Sequence, residues 1–181
     1  MKARQGTAGR YAKALFMITR AAGTAEAAAG ELELFEDAVR QSPDLVAVLQ
    51  RPWVKPTERR AVAAAVAERA GCGPLVRDLV GLVAARGRID HLREIGDAYR
   101  ALVDEAAGRV RATVRTAIAL TGEERRQLAG RIERALGKRA MLAETVDTSL
   151  LGGFVAQVGS LILDGSLDGQ LQRMRERLAR G

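Results

Sequence analysis

The side chains best suited to chemistry in this chain are its single histidine, His91, and its single cysteine, Cys72. Nucleophilic catalysis needs a nucleophile and a base within hydrogen-bond reach, and a structural zinc site takes four Cys or His ligands. His91 stands beside Asp90 and Arg93 near the start of a predicted helix, whereas Cys72 lies between two glycines in a predicted loop. We therefore interpret His91 as a surface histidine and Cys72 as a structural thiol, and we predict no catalytic residue and no metal site.

Two glycine-containing segments, Gly152-Gly153 and Asp164-Gly165, resemble parts of phosphate-binding loops. Nucleotide sites of that kind carry G-x-G-x-x-G or G-x-x-x-x-G-K-[ST], and this sequence contains neither pattern. Glycine is instead expected where a tight turn requires a positive φ angle. We predict that these glycines form turns and that no cofactor binds. The weaker alternative, a small enzyme holding a phosphate at Gly152-Gly153, would require stabilisation of the chain by nucleotide.

Arginines alternate with apolar residues between Arg109 and Arg115, which is the pattern of a strand with one solvated face. Residues 106–181 contain 13 Lys and Arg against 8 Asp and Glu, a net charge of +5 within a chain of net charge +7. Such a basic part attracts nucleic acid, an anionic surface or an acidic protein. RNA-binding sheets interleave aromatic residues with their basic residues, and none accompanies these arginines. A solvated face, or a face that docks an acidic helix, is the favoured interpretation.

Composition favours packed helices over an all-β fold. Hydrophobic residues make up 48% of the chain but aromatic residues only 3%, so the core is aliphatic and rich in alanine. A lone cysteine cannot form an internal disulfide, which favours a cytosol-facing compartment. We also expect no direct membrane insertion, because no apolar run approaches the length of a membrane span.

Residues 4–107 carry helical periodicity interrupted by clear stops, which predicts six helices with short connections. Tyr11, Ala14, Leu15 and Ile18 share one face of the first helix. Thr57 is predicted to cap an alanine-rich fourth helix, since threonine is a favoured N-cap residue. The remaining predicted stops are Gly23-Thr24, Ser42-Pro43, Gly71 to Pro74 and Gly87.

The periodicity changes after Gly108, and the order becomes β-α-β-β-β-α. Thr121 with Glu124 forms a capping-box pattern, Asp164-Gly165 is a hairpin-type turn signal, and Ser166 is a good N-cap for a last helix. The predicted fold is mainly α, with an N-terminal six-helix bundle over residues 1–107 followed by a small α+β C-terminal module over residues 108–181.

Small residues line parts of two predicted helices, the first and the fifth. Such walls would let a partner's amphipathic helix approach closely, and they would equally serve packing inside the bundle. The sequence leaves these two interpretations equal. The small residues are Ala8, Ala12, Ala14, Ala21 and Ala22 in the first helix, and Gly81, Ala84 and Ala85 in the fifth.

Four stretches in the same order resemble the delta subunits of F-type ATP synthases, the family of the mitochondrial oligomycin sensitivity conferral protein. Residues 10–16 read R-Y-A-K-A-L-F, residues 85–89 read A-R-G-R-I, and residues 105–108 read E-A-A-G before A-x-V. The most specific stretch, residues 147–171, reads D-x-S-L-L-G-G-F and then D-G-S with a following leucine. The similarity spans nearly the whole chain.

The resemblance implies a non-catalytic stator protein, present in one copy per complex, of a proton-translocating F-type ATP synthase. It implies that the N-terminal bundle binds the N-terminal helix of an alpha subunit of the catalytic head. It also implies that the C-terminal module holds the C-terminal ends of the b-type peripheral stalk subunits, at the cytoplasmic face of the cell inner membrane. Carried onto this sequence, the groove between the first and fifth helices involves Tyr11, Ala14, Leu15, Ile18, Leu79, Leu82 and Val83.

The competing interpretation from the residues is a basic RNA- or DNA-binding adaptor, motivated by a pI of about 10.4 and the arginine strand. Binding of that kind weakens steeply with salt because counterions are released from the nucleic acid. The stator interpretation expects no nucleic acid partner.

Overall fold

The computed structural model describes residues 6–51, 53–159 and 161–180. Within these ranges the chain is mainly helical with one small sheet, which confirms the predicted combination of helices with a minor α+β part. The Cα packing divides the chain between Val103 and Asp104, within a helix and a few residues before the predicted boundary. The elements are α1 (Thr7–Ala21), α2 (Ala25–Gln41), α3 (Pro43–Gln50), α4 (Pro56–Arg69), α5 (Pro74–Ala85), a 3-10 turn (Ile89–His91), α6 (Leu92–Ala106), β1 (Arg109–Thr116), α7 (Gly122–Leu136), β2 (Arg139–Val146), β3 (Phe154–Val158), β4 (Leu161–Asp164) and α8 (Leu167–Arg180).

Proline sets the start of three helices in the first unit. Pro43, Pro56 and Pro74 each occupy the first position of α3, α4 and α5, where the missing N–H costs no hydrogen bond. The predicted cap of α4 is therefore wrong by two residues: Lys55 is the N-cap, and its backbone N–H donates to Glu58 Oε2 at 3.2 Å. The fixed φ of proline outweighed the capping preference of the threonine that follows it.

A buried tyrosine hydroxyl joins three helices of the first unit. The hydroxyl of Tyr99 in α6 lies 2.7 Å from Thr19 Oγ1 in α1, and it donates to the carbonyl oxygen of Ala25 at the start of α2, 3.0 Å away. Tyr99 and Thr19 are both fully buried, and the Phe16 ring meets the Tyr99 ring edge-on with centroids 6.3 Å apart. Because buried polar groups must be hydrogen-bonded, this arrangement fixes the rotation of α1 about its axis.

The second unit is built around a four-stranded sheet in the order β2-β1-β3-β4. Strand β1 pairs parallel with β2 across the α7 connection and antiparallel with β3, and β3 pairs antiparallel with β4. Thr121 and Glu124 form the predicted capping box, with Thr121 N–H donating to Glu124 Oε2 at 2.8 Å, and Gly137 ends α7 at a φ of 66°. The small core of this unit consists of Ala112, Val114, Leu128, Ile132 and Ala156.

The arginines of β1 are neutralised inside their own unit. Asp104 in the last turn of α6 is buried; its Oδ2 accepts from Arg111 Nε at 2.6 Å, and its Oδ1 lies 3.5 Å from an Arg109 nitrogen. Arg115 Nε donates to Asp147 Oδ2 at 3.0 Å. These pairs tie the end of α6 to the sheet, which explains why the packing boundary precedes Asp104.

The two D-x-S stretches of the C-terminal segment form the same kind of turn. Asp147 Oδ1 accepts from Ser149 N at 3.0 Å and from Ser149 Oγ at 2.6 Å, and Asp164 Oδ1 accepts from Ser166 N at 2.9 Å and from Ser166 Oγ at 2.6 Å. The hydrogen bonds from Ser149 and Arg115 lower the pKa of Asp147 to about 2, so this turn keeps its ionised acceptor through the neutral range.

The turn predicted at Asp164-Gly165 is present, and it connects β4 to α8. Strand β3 ends at Val158, and Gly159 follows it with a φ of +60°. The Asp164 carboxylate accepts the hydrogen bond of the Ser166 hydroxyl, and Ser166 Oγ accepts one from Gly169 N at 3.0 Å. Ser166 is therefore the predicted N-cap of the last helix, and the aspartate orients that cap rather than closing a hairpin.

The glycines of the segment allow two loops to touch. Gly153 has a φ of +78°, and a Cβ there would collide with the carbonyl oxygen of Gly165. Leu167 N–H donates to the Gly152 carbonyl at 3.0 Å, and Gly165 N–H donates to the Phe154 carbonyl at 2.9 Å. Gly153 has the positive φ that the sequence predicts for a turn glycine. The close backbone approach is an additional role, and the contact anchors the first turn of α8.

We expect Tyr99→Phe to lower the free energy of unfolding by about 1–2 kcal/mol, because the hydrogen bonds of its hydroxyl to Thr19 Oγ1 and to the Ala25 carbonyl oxygen are lost. Urea denaturation followed by far-UV circular dichroism measures the change. Tyr11→Phe is the matched control, since Tyr11 belongs to the same unit and its hydroxyl makes no hydrogen bond within the described residues; its effect should stay within about 0.5 kcal/mol. Equal effects of the two variants would contradict the role of the Tyr99 hydroxyl.

We expect Gly153→Ala to destabilise the C-terminal unit by at least about 1–2 kcal/mol, because alanine is strained at positive φ and its methyl group meets backbone. Gly130→Ala within α7 is the control, since a Cβ there meets nothing within 4 Å and alanine favours a helix by roughly 0.5–1 kcal/mol. The same urea titration compares both variants, and a neutral Gly153→Ala would rule out the close-approach explanation.

Candidate partner-binding surfaces

Helix α1 carries an exposed apolar stripe on the face opposite to the core. Ala14, Met17, Ile18 and Ala21 recur at i, i+3, i+4 and i+7 and are all exposed, with Met17 at 63% and Ile18 at 54%. The buried face holds Ala8, Ala12, Leu15 and Thr19. An apolar stripe at this spacing is the kind of surface on which another apolar helix face can pack.

Helix α5 lies in contact with α1 and adds one exposed leucine to this region. Leu82 is 41% exposed, and α1 and α5 pack directly against each other. We define the α1/α5 surface as Ala14, Met17, Ile18, Ala21 and Leu82. It lies wholly within the first unit.

The residues that the sequence predicts for the groove divide into two groups. Ala14, Ile18 and Leu82 are exposed and belong to the α1/α5 surface. Leu15, Leu79 and Val83 are buried in the core of the unit, and Tyr11 is half-buried against it. These buried residues pack inside the bundle, which is the other interpretation that the sequence left open. They lie beneath the α1/α5 surface and are not part of it.

Sequence reasoning missed Met17 although its signal was present, and it named Ala21 only as a small residue of the first helix, outside the groove set. Both lie on the line that starts at Ala14 and continues through Ile18 at helical spacing. In a helix this rich in alanine, apolar residues occupy most of the circumference, so periodicity alone does not separate the buried face from the exposed one.

A second exposed apolar stripe runs along α8. Leu167, Leu171, Met174 and Leu178 are separated by four, three and four residues, and their exposures are 47%, 50%, 62% and 84%. An amphipathic helix normally buries such a stripe, so this one is available to a partner. The sequence identified these four residues as the apolar line of the last helix but assigned them no site.

The first unit also holds a cavity of about 740 Å³ between α2, α3 and α6, with charged residues of both signs in its lining. Arg100 donates to Glu36 at 3.3 Å and to Asp97 at 2.7 Å within it. Burial raises the pKa of Glu36, while Arg100 opposes that shift. The charges at the centre of this cavity are therefore satisfied by one another.

Neither His91 nor Cys72 takes part in a catalytic arrangement among the described residues. His91 is on the surface, with Nδ1 3.1 Å from Glu94 Oε2, and Cys72 is buried, with Sγ 3.2 Å from the Glu31 carbonyl oxygen. Burial raises the pKa of the Cys72 thiol, which disfavours the reactive thiolate. In the described part of the chain no group of three or more His, Cys, Asp or Glu is arranged to hold a metal ion. Among the same residues, no helix combines the length and hydrophobicity required to span a bilayer.

Comparison with known proteins agrees with the features of both units. The chain matches the family model of the ATP synthase delta (OSCP) subunit over residues 7–178. It is 38% identical to ATP synthase subunit delta of Solidesulfovibrio magneticus over 174 residues, covering 95% of each chain. It is 40% identical to that of Anaeromyxobacter sp. (strain Fw109-5) over 169 residues, covering 93% of this chain and 94% of the relative.

The fold has a counterpart among solved structures. A chain of the Toxoplasma gondii mitochondrial ATP synthase hexamer superposes with a TM-score of 0.74 at 21% identity, covering 97% of this chain and 98% of that chain. At that identity the likeness supports the fold alone, whereas the sequence relatives establish the relationship. This chain belongs to the ATP synthase delta (OSCP) subunit family.

Proposed function

We propose that this chain is the non-catalytic stator subunit that joins the catalytic head of a proton-translocating F-type ATP synthase to its peripheral stalk. The observation that carries the proposal is the pair of exposed apolar helical stripes, one on α1 in the first unit and one on α8 in the second. A protein that holds two partners together needs one binding surface for each, and two surfaces on one chain add avidity.

The first unit is the part that binds the head. The six helices α1–α6 form the head-binding bundle, and the α1/α5 surface receives the N-terminal helix of an alpha subunit. Exposed Met17, Ile18 and Leu82 contribute apolar area worth about 25 cal/mol per Å² when a partner helix covers them. Leu15, Leu79 and Val83 hold α1 and α5 together below that surface.

The second unit is the part that binds the stalk. The stripe of Leu167, Leu171, Met174 and Leu178 receives the C-terminal ends of b-type stalk subunits. Its helix is oriented by the Ser166 cap and by the contact of Gly153 with Gly165, so the stripe begins at a fixed point of the unit. In this proposal each complex contains one copy of the chain, which is peripheral at the cytoplasmic face of the membrane.

The alternative of an RNA- or DNA-binding adaptor finds no support in the family relationship. The main argument for that alternative was the arginine strand. The contacts of those arginines weaken this argument. Arg109 and Arg111 lie against Asp104, and Arg115 is paired with Asp147, so the charge of this face is largely neutralised within the unit.

Calorimetric titration of the full chain with a synthetic alpha-subunit N-terminal helix tests the head-binding surface. We expect one-to-one binding that resists moderate salt, and a loss of about tenfold or more in affinity for Ile18→Glu and for Leu82→Glu, since each places a charge in an apolar contact. A Tyr11 variant is unsuitable for this test, because Tyr11 packs on the core and a charge there would disturb folding.

Leu34→Glu is the matched control for head binding, because Leu34 is 53% exposed and belongs to α2, outside the α1/α5 surface. Its affinity should equal that of the unmodified chain. Folded Ile18→Glu and Leu82→Glu proteins that bind the helix as tightly as the Leu34→Glu protein would refute the α1/α5 assignment.

Titration with a peptide spanning the C-terminal end of the b subunit tests the stalk-binding surface. Leu171→Glu and Met174→Glu should each weaken binding by about tenfold or more, because both lie at the middle of the α8 stripe. Gln172→Glu adds the same charge to the same helix away from the stripe and should leave the affinity unchanged. If all three variants behave alike, the stalk contacts another part of the C-terminal unit.

A further inference from the structure

The connection between α3 and α4 displays the only tryptophan of the chain. Trp53 is 75% exposed, although large aromatic side chains are usually well covered in folded proteins. Exposed tryptophan and arginine are the residue types most enriched among those that dominate binding energy at protein interfaces. Trp53 belongs to neither the α1/α5 surface nor the α8 stripe.

Two arginines connect this tryptophan to a second basic segment of the chain. The Arg51 guanidinium lies 5.7 Å from the centroid of the Trp53 ring, and Arg59 donates to the Arg51 carbonyl oxygen at 2.7 Å. A terminal nitrogen of Arg59 also lies 3.0 Å from the position that a Cβ of Gly87 would occupy. The α3–α4 connection, the first turn of α4 and the end of α5 therefore meet.

Gly87 stands between Arg86 and Arg88, and Lys55 follows Trp53 by two residues. We call this set the Trp53 patch: Trp53 with the basic residues Arg51, Lys55, Arg59, Arg86 and Arg88.

None of the five cations of the Trp53 patch forms an ion pair with another residue that the structure describes. Some arginines elsewhere in the first unit are paired, as Arg77 is with Glu68 at 2.8 Å and Arg100 is with Glu36 at 3.3 Å. The nearby Glu58 places its carboxylate on the backbone N–H of Lys55. Like charges held together repel one another, so a partner that carries negative charge is favoured at this place.

We propose that the Trp53 patch binds an acidic protein segment that carries an apolar side chain. The apolar side chain packs on the exposed ring of Trp53, while the guanidinium groups receive carboxylates, which arginine binds in a planar, two-pronged geometry. A nucleic acid is disfavoured, because single strands are held by several stacked aromatics and this patch offers one. The surface is thus a third contact region of the chain, distinct from those for the head helix and the stalk.

The chain's own tryptophan reports on occupancy, since no other tryptophan contributes to its fluorescence. The probe is a synthetic peptide of alternating Glu and Leu, titrated into the full-length chain, with a peptide of alternating Gln and Leu as the uncharged comparison. We expect a blue shift of Trp53 emission with the acidic peptide only, and an affinity that falls as salt rises. An equal shift with the uncharged peptide, or none with either, would overturn the proposal.

Arg51→Glu and Arg86→Glu should each weaken binding of the acidic peptide by about tenfold, because each reverses one charge of the patch. Arg126→Glu makes the same charge change in the second unit, at a side chain that is 78% exposed, and should change the affinity less than about twofold. Arg51→Glu retains the backbone carbonyl to which Arg59 donates. This variant therefore still tests the patch if Arg86→Glu perturbs the end of α5. Equal affinities for the Arg51→Glu and Arg126→Glu chains would overturn the proposal.

Single-stranded polyuridylate, titrated under the same conditions, separates the two classes of acidic polymer. Weaker binding of the RNA than of the peptide supports a protein segment, and tighter RNA binding with the same emission shift overturns it. The head-binding titration uses another probe and residues outside the Trp53 patch. If one proposal fails, the test of the other therefore still gives a clear result.

Discussion

The rotation of α1 depends on one buried polar contact, and the α1/α5 surface, which we propose binds the head, depends on that rotation. Tyr99 holds Thr19 inward at 2.7 Å, and the helix repeat then places Ala8, Ala12 and Leu15 on the same inner side. The outer side is left to Met17 and Ile18. In a core made almost entirely of alanine and branched aliphatic residues, many rotations of α1 bury similar area. A directional hydrogen bond distinguishes among them, because an unsatisfied buried hydroxyl is expensive.

The parts of the fold that could be predicted from sequence are those governed by short-range chemistry. The capping box at Thr121, the stop at Gly137 and the alternating arginines of β1 each depend on residues a few positions apart. The start of α4 was predicted wrongly because two local preferences compete there. The restricted φ of proline prevailed over the threonine cap.

The candidate surfaces were only partly predictable for a different reason. Leu15 and Ile18 have the same chemical character and belong to the same helix, yet one is buried and the other is exposed. Which of them reaches solvent depends on contacts with α5 and α6, which lie far away in sequence. The Trp53 patch is a stronger example, since its basic residues come from segments separated by about thirty positions and meet only through the packing of α4 on α5.

The sheet of the second unit is open at both sides, with β2 and β4 as its outer strands. An outer strand offers unpaired backbone groups to any extended chain nearby, and a long flat one invites runaway self-association into fibrils. Strand β4 has four residues and ends at a charged aspartate that immediately turns away into α8. Ile162 on that strand is 62% exposed. A strand of four residues nevertheless offers few backbone hydrogen bonds to another chain that pairs with it. The β4 edge of an unassembled copy is therefore protected against strand addition by its own shortness, whereas β2, with eight residues, is the longer exposed edge.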